Sequence, residues 1–563
     1  MEATPSYVHG VSVKPLLGDT VGSLLDRIAA AYPQQPALVV RSQGVRINYR
    51  EFHAEVERAA AGLLALGLQR GDRIGIWAPN RAEWVILQFA APKAGLVLVN
   101  INPAYRAHEL EYALNHVDCR ALVLPRRFRT SRYLDMLGAL APELAVTAAG
   151  ALRAIRLPGL RVVILLDDVA APGTHTWSQL LAAGDTSAVA RLREVERELD
   201  FDDPVNIQFT SGTTGTPKGA TLTHHNIINN GYFIGEAMRL TEHDRLCIPV
   251  PFYHCFGMVL GNLACVTHGA CMVIPGESFD ALATLETVEA ERCTALHGVP
   301  TMFIAELEHP QFRRFDLTSL RTGIMAGSPC PIEVMRKVVS EMHMDQVTIA
   351  YGMTETSPVS FQTVPDDPLE RRVDSVGRIH PHVEAKLVDE RGRTVPRGLT
   401  GELCTRGYSV MLGYWGDEAR TREVIDAAGW MHTGDLAVLD KDGYCSIVGR
   451  LKDMIIRGGE NVYPREIEEF LFSYPKVQDV QVFGVPDAKF GEQVCAWVRL
   501  REGSRASEAE IQDYCRHHLA YYKVPHYVRF VDAFPMTVTG KIQKYLMRDA
   551  MVEELGLRLT SSD

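Results

Sequence analysis

Near the start of the chain, apolar residues recur at three- and four-residue steps in VGSLLDRIAAAY (21–32) and YREFHAEVERAAAGLLALGL (49–68). That spacing predicts two amphipathic helices. The pattern then changes: DRIGIWAPN (72–80) is a short apolar run closed by Pro-Asn, which reads as a buried strand. Similar runs follow at ALVLP (121–125), VVILLDD (162–168), RLCIPVP (245–251) and ACMVIP (270–275), with helical stretches between them. This alternation predicts α/β units around largely parallel sheets. No internal repeat or low-complexity tract interrupts it.

The texture changes near residue 450. Before it, GELCTRGYSVMLGYW and AVLDKDGYCSIVGR are rich in glycine turns and β-formers and predict a small β-rich subdomain. After it, REIEEFLFSYPKVQDVQVFGVPD and SEAEIQDYCRHHLA alternate helix, strand and helix, a length that suits a small α+β domain. The expected fold is therefore α/β, with a large N-terminal domain over 1–450 that includes the β-rich piece. A small α+β C-terminal domain follows over 451–563. The seam GRLKDMIIRGGENVYP is charged and carries Gly458-Gly459, which suits a hinge.

With 46% apolar and 23% charged residues, the 563-residue chain has an ordinary globular balance. Its net charge of −11 argues against nucleic acid as main partner, because phosphate backbones select basic surfaces. The eleven cysteines show no C-x-x-C pair and no metal-ligand spacing, which reads as free thiols in a reducing compartment. MEATPSYVHG lacks the apolar core of a secretory signal, LTSSD matches no peroxisomal address, and no apolar run reaches the length of a membrane span. The expectation is a cytoplasmic protein without an integral membrane segment.

Four stretches carry chemistry. In FTSGTTGTPKG (209–219), Gly212, Gly215 and Gly219 free the backbone so that successive N–H groups can converge on an anion. Ser211, Thr213, Thr214 and Thr216 add hydroxyl donors, and Lys218, after Pro217, adds positive charge. The spacing is not that of the nucleotide-hydrolase loop G-x-x-x-x-G-K-[ST]: five on from Gly212 stands Pro217, and Gly219 follows the lysine. In IAYGMTETSP (349–358), Tyr351 can present a flat ring to a base, with Thr354 and Glu355 placed for phosphate and Mg²⁺. Asp435, in HTGD, suits two ribose hydroxyls. Lys541 follows a glycine in the polar loop TVTGKIQK (537–544).

In this order and spacing the stretches resemble the AMP-forming acyl-adenylate superfamily of acyl-CoA synthetases, peptide-synthetase adenylation domains and luciferases. YHCFG, PTMF, AGSPCP, VMLGYWG and KDMIIRGGENVYPREIEEF are most similar to medium-chain fatty acyl-CoA ligases. The resemblance implies ATP, Mg²⁺, CoA and a small carboxylic acid as ligands, and a homo-oligomer is compatible with it. Residues 211–218 would grip the β- and γ-phosphates. Tyr351, Gly352 and Met353, with Gly327, Ser328 and Pro329, would flank the adenine. Thr354 would touch the α-phosphate and Glu355 would hold Mg²⁺. Asp435 would bind the ribose beside Ile447 and Arg450. Lys541 would bridge the attacking carboxylate and an α-phosphate oxygen, where charge reorganises most.

The resemblance further implies a C-terminal domain that pivots at Lys452, so that Arg457, Gly458 and Gly459 line the CoA tunnel. His254 would gate the acyl carboxylate, in a pocket of Tyr253, Phe256, Met258, Val299, Met302 and Phe303. These residues offer no buried charge for an amino acid or diacid, so a medium aliphatic chain is expected. A short, oxo-substituted or aryl acid, an amino-acid adenylation domain and a luciferase-like oxygenase stay open as alternatives. HHNII (224–228) is followed by Asn229 and Asn230 where the paired-histidine acyltransferase motif needs Asp and Gly, which excludes that chemistry.

Overall fold

A computed structural model describes residues 4–210, 217–328, 330–458, 460–487, 489–536 and 542–557. Both predicted N-terminal helices form. Val21–Ala31 is capped by the Thr20 hydroxyl, which accepts from the Ser23 amide. Tyr49–Ala65 is capped reciprocally by Asn48 and Glu51, each side chain bonding the other's backbone N–H.

The chain divides into two compact units. The larger, residues 9–384 and 405–431, holds an eight-stranded and a nine-stranded sheet among its described residues. Parallel strands make the middle of the first: Pro204–Thr210, Val97–Asn100, Arg73–Ile76, Cys119–Leu124 and Val162–Leu165. The second has a parallel run of Cys271–Ile274, Arg245–Cys247, Ala295–Gly298, Thr322–Ala326 and Gln346–Gly352. Antiparallel pairs occur towards the edges: Lys218–Thr223 on Pro204–Thr210, and Val359–Gln362 on Gln346–Gly352. The prediction of parallel α/β sheets thus holds for the sheet centres. Central strands such as Val97–Asn100 are buried at every position, as parallel strands covered on both faces should be. Each fully buried Val or Leu side chain there contributes about 1.5–3 kcal/mol of transfer free energy.

The smaller unit comprises residues 1–8, 385–404 and 432–563. Most of a five-stranded sheet lies in it, in the order Tyr7–His9, Val383–Val388, Gly401–Gly407, Met431–Leu439, Cys445–Arg450. A second sheet orders Glu460–Val462, Ile455–Arg457, Gly491–Leu500 and Val477–Asp487, with Tyr527–Phe530 also paired to Gly491–Leu500. The helices Pro464–Phe472, Glu508–Arg516 and Lys544–Glu554 complete this α+β part. A large N-terminal part built on mixed α/β sheets is thus followed by a small C-terminal domain, as expected. By contacts, residues 401–404 and 437–450 of the predicted β-rich piece group with the C-terminal residues, whereas Gly413–Tyr414 pairs with Lys218–Thr223 in the eight-stranded sheet.

Candidate active site

Residues Ser211, Gly212, Thr213, Thr214, Gly215 and Thr216 of the glycine loop lie outside the described residues, but both its anchors are described. Thr210 stands opposite Lys218 in the antiparallel pair, so a strand, Lys218–Thr223, follows these residues. A hydrolase phosphate loop is instead followed by a helix. The Pro217 carbonyl accepts from the Tyr112 hydroxyl at 3.1 Å, and Lys218 Nζ lies 5.0 Å from the centre of the Tyr414 ring.

The second stretch arrives on the edge of the other large sheet. Tyr351 and Gly352 end the strand Gln346–Gly352, and Thr354–Thr356 form one tight helical turn after Met353. A Cβ on Gly352 would stand 1.7 Å from the Pro358 carbonyl oxygen, so only glycine fits this crossing. Glu355 is buried. Its Oε1 accepts from the Tyr414 hydroxyl at 2.9 Å and from the Thr210 hydroxyl at 3.4 Å. The mouth of the glycine loop and the acidic turn therefore meet, although 145 positions separate Thr210 from Glu355 in sequence. Gly327 sits at φ 93°, and a Cβ there would lie 3.1 Å from Val299 Cγ1. Ser328 is exposed, and Pro329 lies outside the described residues.

Of the expected acyl-pocket residues, Phe256 and Met258 lie on a buried π-helical segment, Phe256–Leu263. Val299 and Met302 pack against the same core. Phe303 does not join them: it belongs to a separate core with Met325 and Met335 and is fully buried there. The Tyr253 hydroxyl is buried with no hydrogen-bond partner among the described residues, and burial pushes its phenol well above the ordinary value. His254 is exposed, with Nδ1 accepting from the Phe256 amide at 3.2 Å. Cys255, between them, donates to Gln208 Oε1 at 3.1 Å. Gln208 stands on the strand that feeds the glycine loop, so the loop and the apolar segment share a buried polar contact.

The smaller unit carries the remaining residues. Asp435 and Arg450 face each other across the antiparallel pair, with Nε 3.3 Å from Oδ1. The turn before Asp435 is tied down: Thr433 Oγ1 donates to the Leu403 carbonyl at 2.8 Å and accepts from the Asp435 amide at 3.1 Å. Gly434, at φ 69°, gives its N–H to Glu402 Oε1 at 3.3 Å. The carbonyl of Ile447, on the neighbouring strand, accepts from Arg465 at 2.7 Å. Lys452 is exposed in the turn Leu451–Asp453. Arg457 donates from Nε to Gln493 at 2.7 Å, and its guanidinium lies 4.6 Å from the Phe490 ring centre. The Gly458 amide donates to the Phe490 carbonyl at 2.7 Å, at φ 60°. Gly459 and Lys541 lie outside the described residues.

A family model of AMP-binding enzymes matches residues 25–415, and one of the AMP-binding enzyme C-terminal domain matches residues 466–541. The chain belongs to the AMP-binding enzyme family. It is 49% identical to the mitochondrial medium-chain acyl-CoA ligase ACSF2 of Danio rerio, over 98% of this chain and 92% of that one. It is 51% identical to the putative acyl-CoA synthetase YngI of Bacillus subtilis, over 96% of this chain and 99% of that one. Among solved structures, the anthranilate CoA ligase AuaEII in complex with anthranoyl-AMP superposes with a TM-score of 0.81 at 26% identity, covering 97% of this chain and 99% of that one. ATP-bound MatB from Rhodopseudomonas palustris gives 0.79 at 29% identity, covering 95% and 100%.

Within this AMP-binding enzyme, sequence reasoning passed over Tyr414, Gln208 and Glu402. Tyr414 stands inside the quoted VMLGYWG, but nothing local tells that its hydroxyl reaches Glu355. The eleven cysteines are all free, in line with the thiol expectation. Among the described residues no helix is long and apolar enough to cross a membrane.

Proposed function

We propose that this AMP-binding enzyme joins a medium-chain fatty acid to CoA through an acyl-AMP intermediate, releasing AMP and pyrophosphate. The observation that carries the reading is the meeting of Thr210, at the mouth of the glycine loop, with buried Glu355. A phosphate-gripping loop and a carboxylate suited to a cation then serve one polyphosphate. In the first half-reaction the acid's carboxylate oxygen attacks the α-phosphorus and the bond to pyrophosphate breaks. Lys541 offers its ammonium to the attacking carboxylate and an α-phosphate oxygen. Asp435 and Arg450 hold the ribose, and Tyr351, Gly352, Gly327 and Ser328 frame the adenine. In the second half-reaction the CoA thiol sulfur attacks the acyl carbon, the bond to AMP breaks, and the thiol proton passes to solvent.

Glu355 fits Mg²⁺, which takes one or two carboxylates and leaves its other positions to water and phosphate; when bound, it supplies positive charge to the phosphate oxygens. Phe256, Met258, Val299 and Met302 favour an aliphatic chain. The relatives named as medium-chain ligases support that length. Ten buried free thiols and one half-buried one favour a reducing compartment, for which we take the cytoplasm.

A panel of straight-chain, branched, oxo and aryl acids, scored by CoA-thioester formation, tests the substrate class. Best turnover with acids much shorter than octanoate would overturn the medium-chain reading. Lys541→Ala tests the chemistry: pyrophosphate release should fall by roughly 10²-fold. Thioester formation from supplied acyl-AMP should stay near the unaltered rate. An equal loss in both half-reactions contradicts the assigned role.

A further inference from the structure

Sequence spacing gives the cysteines no metal-ligand pattern, yet the five-stranded sheet assembles one. Glu402 and Cys404 alternate along Gly401–Gly407, so both project from the same face of the strand. His432, on the neighbouring strand Met431–Leu439, stands between them. Its Nδ1 is 2.9 Å from Glu402 Oε2 and 3.4 Å from Cys404 Sγ, and the three ligand atoms all lie within 4.8 Å of one another. All three residues belong to the smaller unit.

We propose that Glu402, Cys404 and His432 form a Zn²⁺ site distinct from the Mg²⁺ position at Glu355. The donor set is the first reason. Thiolate, imidazole and carboxylate together suit Zn²⁺ rather than Mg²⁺ or Ca²⁺, which want oxygens alone. Geometry is the second. Tetrahedral Zn²⁺ with bonds of about 2.0–2.3 Å sets its nitrogen and oxygen ligands ~3.4 Å apart and nitrogen and sulfur ~3.6 Å apart. The two pairs that His432 makes need to open by only about half an ångström with Glu402 and less with Cys404, and the Glu402–Cys404 pair, within 4.8 Å, needs to settle at ~3.6 Å. Access is the third: Cys404 is fully buried, while the Glu402 and His432 side chains are 20% and 31% exposed. A water can then complete a three-ligand site. On binding, the Cys404 thiol proton passes to solvent and the imidazole proton moves to Nε2, leaving Nδ1 to the metal. One thiolate and one carboxylate balance the charge of Zn²⁺.

The site reaches the nucleotide through Glu402. Its other oxygen, Oε1, accepts from the Gly434 amide in the turn that precedes Asp435. Metal and turn therefore share one carboxylate. Negative charge drawn to Zn²⁺ weakens the acceptor of the Gly434 N–H, which loosens the turn before Asp435 and so weakens ATP binding. This consequence rests on the proposed ribose role of Asp435, whereas the metal site does not.

Co²⁺ added to the purified, metal-free full chain without nucleotide should give a near-ultraviolet thiolate-to-cobalt charge-transfer band that saturates at one equivalent. Cys404→Ser and Cys404→Ala should both lose the band, stay folded by circular dichroism at the assay temperature, and bind Zn²⁺ about 10-fold or more weakly in a chelator competition. No band in the unaltered protein overturns the site, and so does a band that survives in a folded Cys404 variant. In a separate arm, Zn²⁺ should raise the apparent KM for ATP in the unaltered protein and leave it unchanged in Cys404→Ser. A cobalt band without that shift upholds the site and overturns its link to ATP.

Discussion

Glu355 is held through Oε1 by the Tyr414 hydroxyl at 2.9 Å, and the same Tyr414 ring lies 5.0 Å from the Lys218 ammonium. Tyr414→Phe keeps the ring and removes only the donor. A buried carboxylate that loses a hydrogen bond loses about 1–3 kcal/mol of support. The variant should melt earlier and release pyrophosphate roughly 10-fold more slowly, a loss of about 1.4 kcal/mol at the transition state. Its thioester step from supplied acyl-AMP should be unchanged; a normal adenylation rate would remove Tyr414 from the site. Glu306 poses the opposite problem. It is fully buried in the helix Pro300–Leu307, Oε2 has no hydrogen-bond partner among the described residues, and burial raises its carboxyl well above the usual range. A folded-state value above the unfolded one means stability is fully present below about pH 4.5 and drains as pH rises through the folded value. Glu306→Gln should therefore unfold at a higher denaturant midpoint than the parent at pH 8, with the gap closing towards pH 4; a pH-independent gap refutes this account. Motif residues such as Glu355, Asp435 and Gly352 could be proposed beforehand because the order and spacing of the four stretches are written in the sequence. Tyr414 and Glu306 were not, because their roles depend on partners that only the folded sheets bring near.

The segment Phe256–Leu263 shows the same limit at the scale of an element. Its sequence, FGMVLGNL, is apolar nearly throughout, so it carries no period that separates a strand from a buried helix. In the fold it is a π-helix, a form often found at functional sites. Two carbonyls along it receive side-chain donors from other elements. Gln88 Nε2 donates to the Met258 carbonyl at 3.0 Å, and His297 Nε2 donates to that of Leu260 at 2.9 Å. His297 Nδ1 meanwhile accepts from the Ile324 amide at 3.1 Å, which fixes the tautomer. Burial pulls this imidazole down to about 4, so it stays neutral and can serve both bonds at physiological pH. Gln88 is itself positioned by Asn262, whose amide donates to Gln88 Oε1 at 2.8 Å. Gln88→Leu should cost roughly 1–3 kcal/mol by leaving buried polar groups unpaired. It should also re-aim Phe256 and Met258, so that KM values across an acid chain-length series shift while KM for ATP holds. Equal changes in both would mean a general loss of structure instead. The strands, by contrast, were readable beforehand, because continuous apolar runs bounded by charge or proline belong to parallel sheets buried on both faces.

For the whole molecule, the sequence reading put the division at 450, where texture changes from glycine-rich β-formers to helix–strand alternation. Contacts instead group 385–404 and 432–450 with the C-terminal residues. Composition along the chain cannot reveal that, because an excursion that leaves one unit and returns to it looks like any other loop. The hinge expected at the seam is a separate proposal, and it concerns Lys452. This residue stands in the three-residue turn Leu451–Asp453, none of which is buried, between the strands Cys445–Arg450 and Ile455–Arg457. The Met454 amide bonds back to the Arg450 carbonyl at 3.0 Å, so a backbone hydrogen bond closes the turn. A pivot needs such a place, where dihedral angles can change without disturbing a core. Proline at 452 fixes φ near −65° and pushes Leu451 out of the helical region. If the two half-reactions use two placements of the C-terminal residues, Lys452→Pro should slow thioester formation about 10-fold or more while adenylation stays within about twofold, the pattern of a hinge variant. Lys452→Ala, which leaves the backbone free, should resemble the parent in both steps. Single-turnover assays of pyrophosphate release and of thioester formation from supplied acyl-AMP separate the cases. Two normal rates in Lys452→Pro, or the same loss in both steps, would place the pivot elsewhere.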